Sequence, residues 1–122
     1  MTLCIQGRVA SGIGRGGYFV EKYSGLFEGL LDGKPYPGTL NIVLDNCYNE
    51  VLKGVEPVII NPPEPGLCSA VAYKGWIRGV RVVVLRPLAS RHDCRVVEVV
   101  ASVKLRDFLG VRDGDLIEIC IE

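Results

Sequence analysis

The residues best suited to chemistry lie in four short segments. The first is Ser11-Gly12-Ile13-Gly14-Arg15-Gly16-Gly17. Four glycines in the six positions from Gly12 follow directly on an expected strand and bare a run of backbone N–H groups. Phosphate oxygens need such donors at close range, where side chains would obstruct them. Arg15 adds a charged donor for a phosphate. The segment is not a P-loop, because no GxxxxGK followed by Ser or Thr is present, and no βαβ pattern follows to make it a dinucleotide loop. The same glycines would equally serve a bulged hairpin, so alone they leave both readings open.

The second segment is Pro35-Tyr36-Pro37-Gly38-Thr39-Leu40-Asn41. Pro37-Gly38 forms a turn, and a strand begins at Thr39. The period of two puts the Thr39 hydroxyl and the Asn41 amide on one face. Two neutral oxygens facing a phosphate site can hold Mg²⁺, which keeps waters and takes other ligands from substrate phosphates. An ordinary strand with a polar outer face shows the same spacing. The third segment is Val96-Val97-Glu98-Val99-Val100, where Glu98 is either a solvated strand residue or a carboxylate placed to accept a hydrogen bond or proton. Ser90, in the polar stretch before it, reads alone as a turn residue, and nothing pairs His92 with a nucleophile. The fourth is Val103-Lys104-Leu105-Arg106, entering a short helix, where backbone N–H groups and two cationic side chains favour an anion. A solvated basic pair on an amphipathic turn fits it as well.

Strand signals dominate the elements that must position these residues. Strands are expected over Leu3–Ala10, Thr39–Leu44, Val55–Asn61, Leu67–Tyr73, Trp76–Leu85, Arg95–Ala101 and Leu116–Ile121. Leu40, Ile42 and Leu44 share one face of the second, with Thr39, Asn41 and Val43 on the other. Tyr23, Leu26, Phe27, Leu30 and Leu31 recur at helical spacing, so Glu21–Leu31 reads as an amphipathic helix that Gly33 ends. Leu105, Phe108 and Leu109 give a second, shorter helix, capped by Gly110. Many short strands with Gly and Pro punctuation suggest a closed or nearly closed barrel.

The 122 residues suffice for one domain, taken as 1–122. Acidic and basic residues number 14 each, so the zero net charge gives no bulk attraction to nucleic acid or acidic lipid. No apolar run is long enough to span a membrane, and the first residues do not read as a signal peptide. The five cysteines, Cys4, Cys47, Cys68, Cys94 and Cys120, are odd in number and without a CxxC pair. They are expected as free thiols in a reducing cytoplasm, not as a zinc site or disulfide framework.

Taken in order, these segments resemble the archaeal CTP-dependent riboflavin kinase family. The resemblance rests on Gly7 through Phe19, the Tyr23-to-Leu31 helix, the PGTLN run ending at Asn41, Val97 to Ala101, Val103 to Arg106, and the Asp113-Gly114-Asp115 turn. It implies a mainly β fold, a six-stranded cradle-loop β-barrel with short helices. It also implies transfer of the γ-phosphoryl group of CTP to riboflavin, giving FMN and CDP. Gly12, Ile13, Gly14, Arg15, Gly16 and Gly17 would cradle the nucleotide phosphates, and Val103, Lys104, Leu105 and Arg106 would hold the nucleotide. Ser90 and Glu98 would contact the flavin, with Glu98 also the candidate catalytic group, and Thr39 and Asn41 would bind Mg²⁺. Arg15 departs from the acidic residue expected there in some relatives. The ending from Leu105 to Ile121 also resembles AbrB-type DNA-binding barrels, which makes a transcription regulator the alternative. The absence of a dense Lys/Arg stripe speaks against it.

Overall fold

The computed structural model describes residues 2–12, 20–66, 68–88 and 93–122. Among these the elements run β1 (Leu3–Ala10), α1 (Ser24–Leu31), β2 (Leu40–Leu44), α2 (Tyr48–Val51), β3 (Val58–Ile60), β4 (Ala70–Ile77), β5 (Val80–Pro87), β6 (Val96–Val100), α3 (Leu105–Leu109) and β7 (Leu116–Ile121). The sheet order is β3-β4-β5-β6-β2-β1-β7, and a further β4–β7 ladder closes six of the strands into the expected antiparallel barrel. The edge of β4 is divided. Ala70 to Ala72 pair with β3, while Gly75 and Trp76 pair with β7. A Cβ on Gly75 would stand 2.5 Å from the Cys120 carbonyl oxygen, so only glycine admits this closure.

Strand alternation divides the apolar residues between two cores. Val9, Leu40, Ile42, Val82, Val84, Val97, Val99 and Ile119 fill the barrel. Val83, Leu85 and Val100 point the other way and meet Tyr23, Phe27 and Leu31 beneath α1. This is why β5 reads as a continuous apolar run: both its faces are covered. Fully burying a side chain such as Phe27 contributes about 1.5–3 kcal/mol. That offsets the cost of glycines at 25 and 29 in so short a helix.

Several expectations shift in position. The β4–β5 turn falls at Arg78-Gly79 and not at Lys74-Gly75. Positive φ at both residues, 47° and 81°, gives the mirror-image turn that suits a twisted hairpin. Asp32, not Gly33, takes the left-handed position that ends α1. Leu26 and Phe108 lie exposed, outside the apolar faces assigned to them. Gly110 does cap α3 at φ 65°.

The cysteines correct the sequence reading more deeply. Cys4 is bonded to Cys120 and Cys47 to Cys94, leaving Cys68 as the free thiol. Cys4 and Cys120 are direct ladder partners on β1 and β7. Spacing along the chain cannot show this, because the barrel brings its first and last strands side by side.

Candidate active site

Four residues form a row across the outer face of the barrel. Ala10, Asn41, Glu98 and Leu85 are successive partners on β1, β2, β6 and β5. Directly opposed residues of antiparallel strands share a face. Leu85 packs under α1, so the face is the outer one. The row is polar at its two middle positions, Asn41 and Glu98, and apolar where it passes beneath the helix.

Thr39, just before β2, joins the row diagonally. Its hydroxyl donates to Glu98 Oε1 at 3.0 Å. Asn41 is 6% exposed, and among the described residues its amide has no hydrogen-bond partner. Gly12 lies against it: a Cβ there would come within 2.6 Å of Asn41 Nδ2. The strand period thus brings Gly12, Thr39, Asn41 and Glu98 to one patch.

α3 reaches the same patch through Arg106. Its Nη2 donates to the Ala10 carbonyl at 3.4 Å, and its Nη1 pairs with Asp113 at 2.9 Å. The Ser11 hydroxyl also donates to Asp113. These partners, Ser11 first and Arg106 second, hold the Asp113 carboxyl below its ordinary range. The Asp113–Asp115 turn is itself fastened to β1. Gly114 N–H donates to the Val9 carbonyl at 2.7 Å, and Val9 N–H to the Asp115 carbonyl at 2.9 Å. Lys104 is exposed and pairs with Asp107 at 3.6 Å. Leu105 is buried in the barrel core and Val103 packs against it. Their side chains are therefore committed to packing, and only their backbone can face a nucleotide.

The β5–β6 connection is fastened at both of its described ends. Arg86, 8% exposed, donates to the carbonyls of Asp93 at 2.9 Å and Val96 at 2.7 Å. Its guanidinium carbon lies 5.4 Å from the centre of the Tyr48 ring. Leu88 N–H donates to the Ser69 carbonyl at 2.9 Å, and Cys94 is bonded to Cys47. Asp93 accepts from the Arg95 side chain and backbone, which lowers its carboxyl value. Ser90 in this connection, and Ile13, Gly14, Arg15, Gly16 and Gly17 in the glycine segment, lie outside the described residues.

Residues 9–121 match the family CTP-dep_RFKase, described as a domain of unknown function, DUF120. The chain belongs to the CTP-dependent riboflavin kinase family. A relative from Staphylothermus marinus named riboflavin kinase is 35% identical over 121 residues, covering 99% of this chain and 93% of its own length. One of the same name from Pyrobaculum arsenaticum is 42% identical over 126 residues, covering 97% and 60%. Another, from Thermococcus kodakarensis, is 35% identical over 124 residues, covering 94% and 57%. The chain therefore spans nearly all of the first of these relatives and about three fifths of the other two.

Two residues that fasten the segments around this patch escaped the sequence reading. Asp113 reads as a turn residue, and only the fold brings it to Ser11 and Arg106. Arg86 left a faint trace, a lone charge at the end of the apolar run Val82-Val83-Val84-Leu85. Buried cations of that kind hold several carbonyls at once.

Proposed function

We propose that this chain is a riboflavin kinase that transfers the γ-phosphoryl group of CTP to the ribityl 5′-hydroxyl, giving FMN and CDP, with residues 1–122 as one catalytic domain. The observation that carries the reading is the outer-face row: Gly12, Thr39, Asn41 and Glu98 adjoin in a chain whose relatives are named riboflavin kinases. The choice of CTP draws on the family's name, and no side chain of this chain dictates it by chemistry alone. A cytoplasmic setting fits this reaction, and the two disulfides fit it where the cell is of the hyperthermophilic kind whose intracellular proteins carry them.

In the reaction, the riboflavin hydroxyl oxygen forms a bond to the γ-phosphorus as the bond to the β–γ bridging oxygen breaks. CDP leaves with that electron pair, and the hydroxyl proton passes to a base or to water. The protein supplies position and charge compensation. Gly12 begins the phosphate cradle, where a side chain would collide with Asn41. Arg106, steered by Asp113, presents its remaining N–H donors to the nucleotide.

The donor set fits a hard divalent cation: a hydroxyl, an amide oxygen and a neighbouring carboxylate, all oxygen, with the amide unpartnered among the described residues. Thr39 and Asn41 would hold Mg²⁺, which when bound neutralises charge on the nucleotide phosphates. Glu98 has a further use there. By accepting the Thr39 hydrogen it turns the hydroxyl lone pairs away from itself, fixing the orientation a ligand oxygen needs. Its Oε2 carries no hydrogen bond among the described residues and is placed to accept one from the substrate hydroxyl.

The test is a product assay. The full chain is incubated with riboflavin, Mg²⁺ and CTP, ATP, GTP or UTP in parallel, and FMN is resolved from riboflavin. FMN formed mainly with CTP is the expected result. FMN from ATP alone would keep the kinase and remove the cytidine reading. Riboflavin binding without FMN from any nucleotide would overturn the kinase.

A further inference from the structure

Asp113 joins two segments that approach the row from opposite ends of the sequence. Ser11 opens the glycine segment, and Arg106 lies on α3, the helix assigned to the nucleotide. One carboxylate accepts from both: the Ser11 hydroxyl bonds Oδ2, and Arg106 Nη1 lies 2.9 Å from Oδ1. The second Arg106 nitrogen reaches the Ala10 carbonyl, adjacent to Ser11. The carboxylate is held in place from behind. Gly114 N–H bonds the Val9 carbonyl, Arg8 Nη1 donates to the Gly114 carbonyl at 2.9 Å, and Arg112 N–H donates to Asp115 Oδ2 at 2.8 Å. The turn that carries Asp113 is therefore a rigid bracket on the end of β1.

We infer that Asp113 is a positioning residue for the nucleotide: its carboxylate sets the start of the glycine segment and the Arg106 guanidinium in one fixed relation. This rests on the proposed kinase reading and deepens it. A negative charge beside a polyphosphate site would by itself weaken anion binding. Its presence there is explained by what it orients. A guanidinium held at two nitrogens keeps its planar fork in one direction, so less side-chain freedom is lost when an anion binds. In this role Asp113 needs no contact with a substrate. Its effect passes through Arg106 and Ser11.

Two outcomes of removing it therefore have opposite signs. If Asp113 acted only as a charge, Asp113→Ala would tighten nucleotide binding. If it positions, the same change weakens it. The experiment measures CDP affinity by calorimetry, and KM for nucleotide and for riboflavin, on the full chain and its Asp113→Ala, Asp113→Glu and Ser11→Ala variants. Asp113→Ala is expected to raise the CDP Kd and nucleotide KM roughly tenfold, the scale of one lost charge-assisted hydrogen bond. The riboflavin KM should stay within about twofold, below the scale of a lost contact. Asp113→Glu should restore most of the affinity. Ser11→Ala should give part of the effect and add little on top of Asp113→Ala, as members of one network do.

An unchanged or lower CDP Kd in folded Asp113→Ala overturns the inference. So does an equal rise in both KM values, which would mean general damage. Should Asp113→Ala fail to fold, Ser11→Ala and Asp113→Glu decide the matter through the same Kd. A wild-type chain that binds CDP but makes no FMN would sink the kinase reading and leave the Asp113 test intact. A wild-type chain that binds no CDP overturns the inference as well.

Discussion

The two stems that flank the candidate site are built on different physics. At the glycine segment, Ser11, Arg106 and Asp113 meet in an exposed polar cluster. At the β5–β6 connection, a buried Arg86 gathers two carbonyls and the Cys47–Cys94 bond ties the far end to the turn after β2. Water competes for the Asp113 contacts of the first stem, and salt screens them. The second is covalent and largely shielded. The exposed side-chain contacts of Asp113 are thus the cheaper to rearrange, although the turn behind them is fastened to β1, and the stem beside the proposed flavin is bound into the fold.

Removing the covalent tie is the sharpest way to break this contrast. In the chain-entropy picture a link across 47 residues contributes about 4 kcal/mol. Cys47→Ala with Cys94→Ala should lose much of that in urea unfolding and raise the riboflavin KM more than the nucleotide KM. No loss of stability would erase the distinction between the stems. Next in size is Arg86→Met, which abandons two buried carbonyl acceptors. A cost of about 2–3 kcal/mol is expected in the same unfolding measurement.

The third prediction concerns activity. Gly12→Ala drives a methyl into the Asn41 amide. That amide can swing aside, so stability should move by less than about 1 kcal/mol while turnover falls by roughly tenfold or more. Equal losses in both would show that Gly12 serves the fold and not the site.

The smallest effect is in acid. Asp113 has a folded-state value below that of the unfolded chain, chiefly from Ser11 and then Arg106. Its stabilisation is present above the ordinary carboxylate value of 3.8 and is lost as pH falls through the lowered one. The melting temperatures of wild type and Asp113→Asn should differ slightly at neutral pH and converge below that value. A gap that persisted in acid would mean the effect is not one of charge.

What was legible in the sequence follows the same division. The alternation from Thr39 to Leu44 placed Thr39 and Asn41 on the outer face, because period two is a local property of strands. Leu116–Ile121 and Leu3–Ala10 were readable to their ends for that reason. The Thr39–Glu98 hydrogen bond, the Asp113 bracket and both disulfides were not. Each joins residues far apart in the chain, and only the barrel's register decides who meets whom. Gly75 misled because a glycine required by a neighbouring carbonyl looks the same as one required by a turn.

The β4–β7 seam also bears on how the chain is made. β1 pairs with β7 over six positions, from Leu3 with Ile121 to Arg8 with Leu116, and the second half of β4 pairs with β7 as well. While the chain emerges from the ribosome at about 5–20 residues per second, both edges wait for the last strand to be synthesised. Nascent chains therefore carry two unpaired strand edges until Leu116–Ile121 is released, and that is the interval in which aggregation competes with closure.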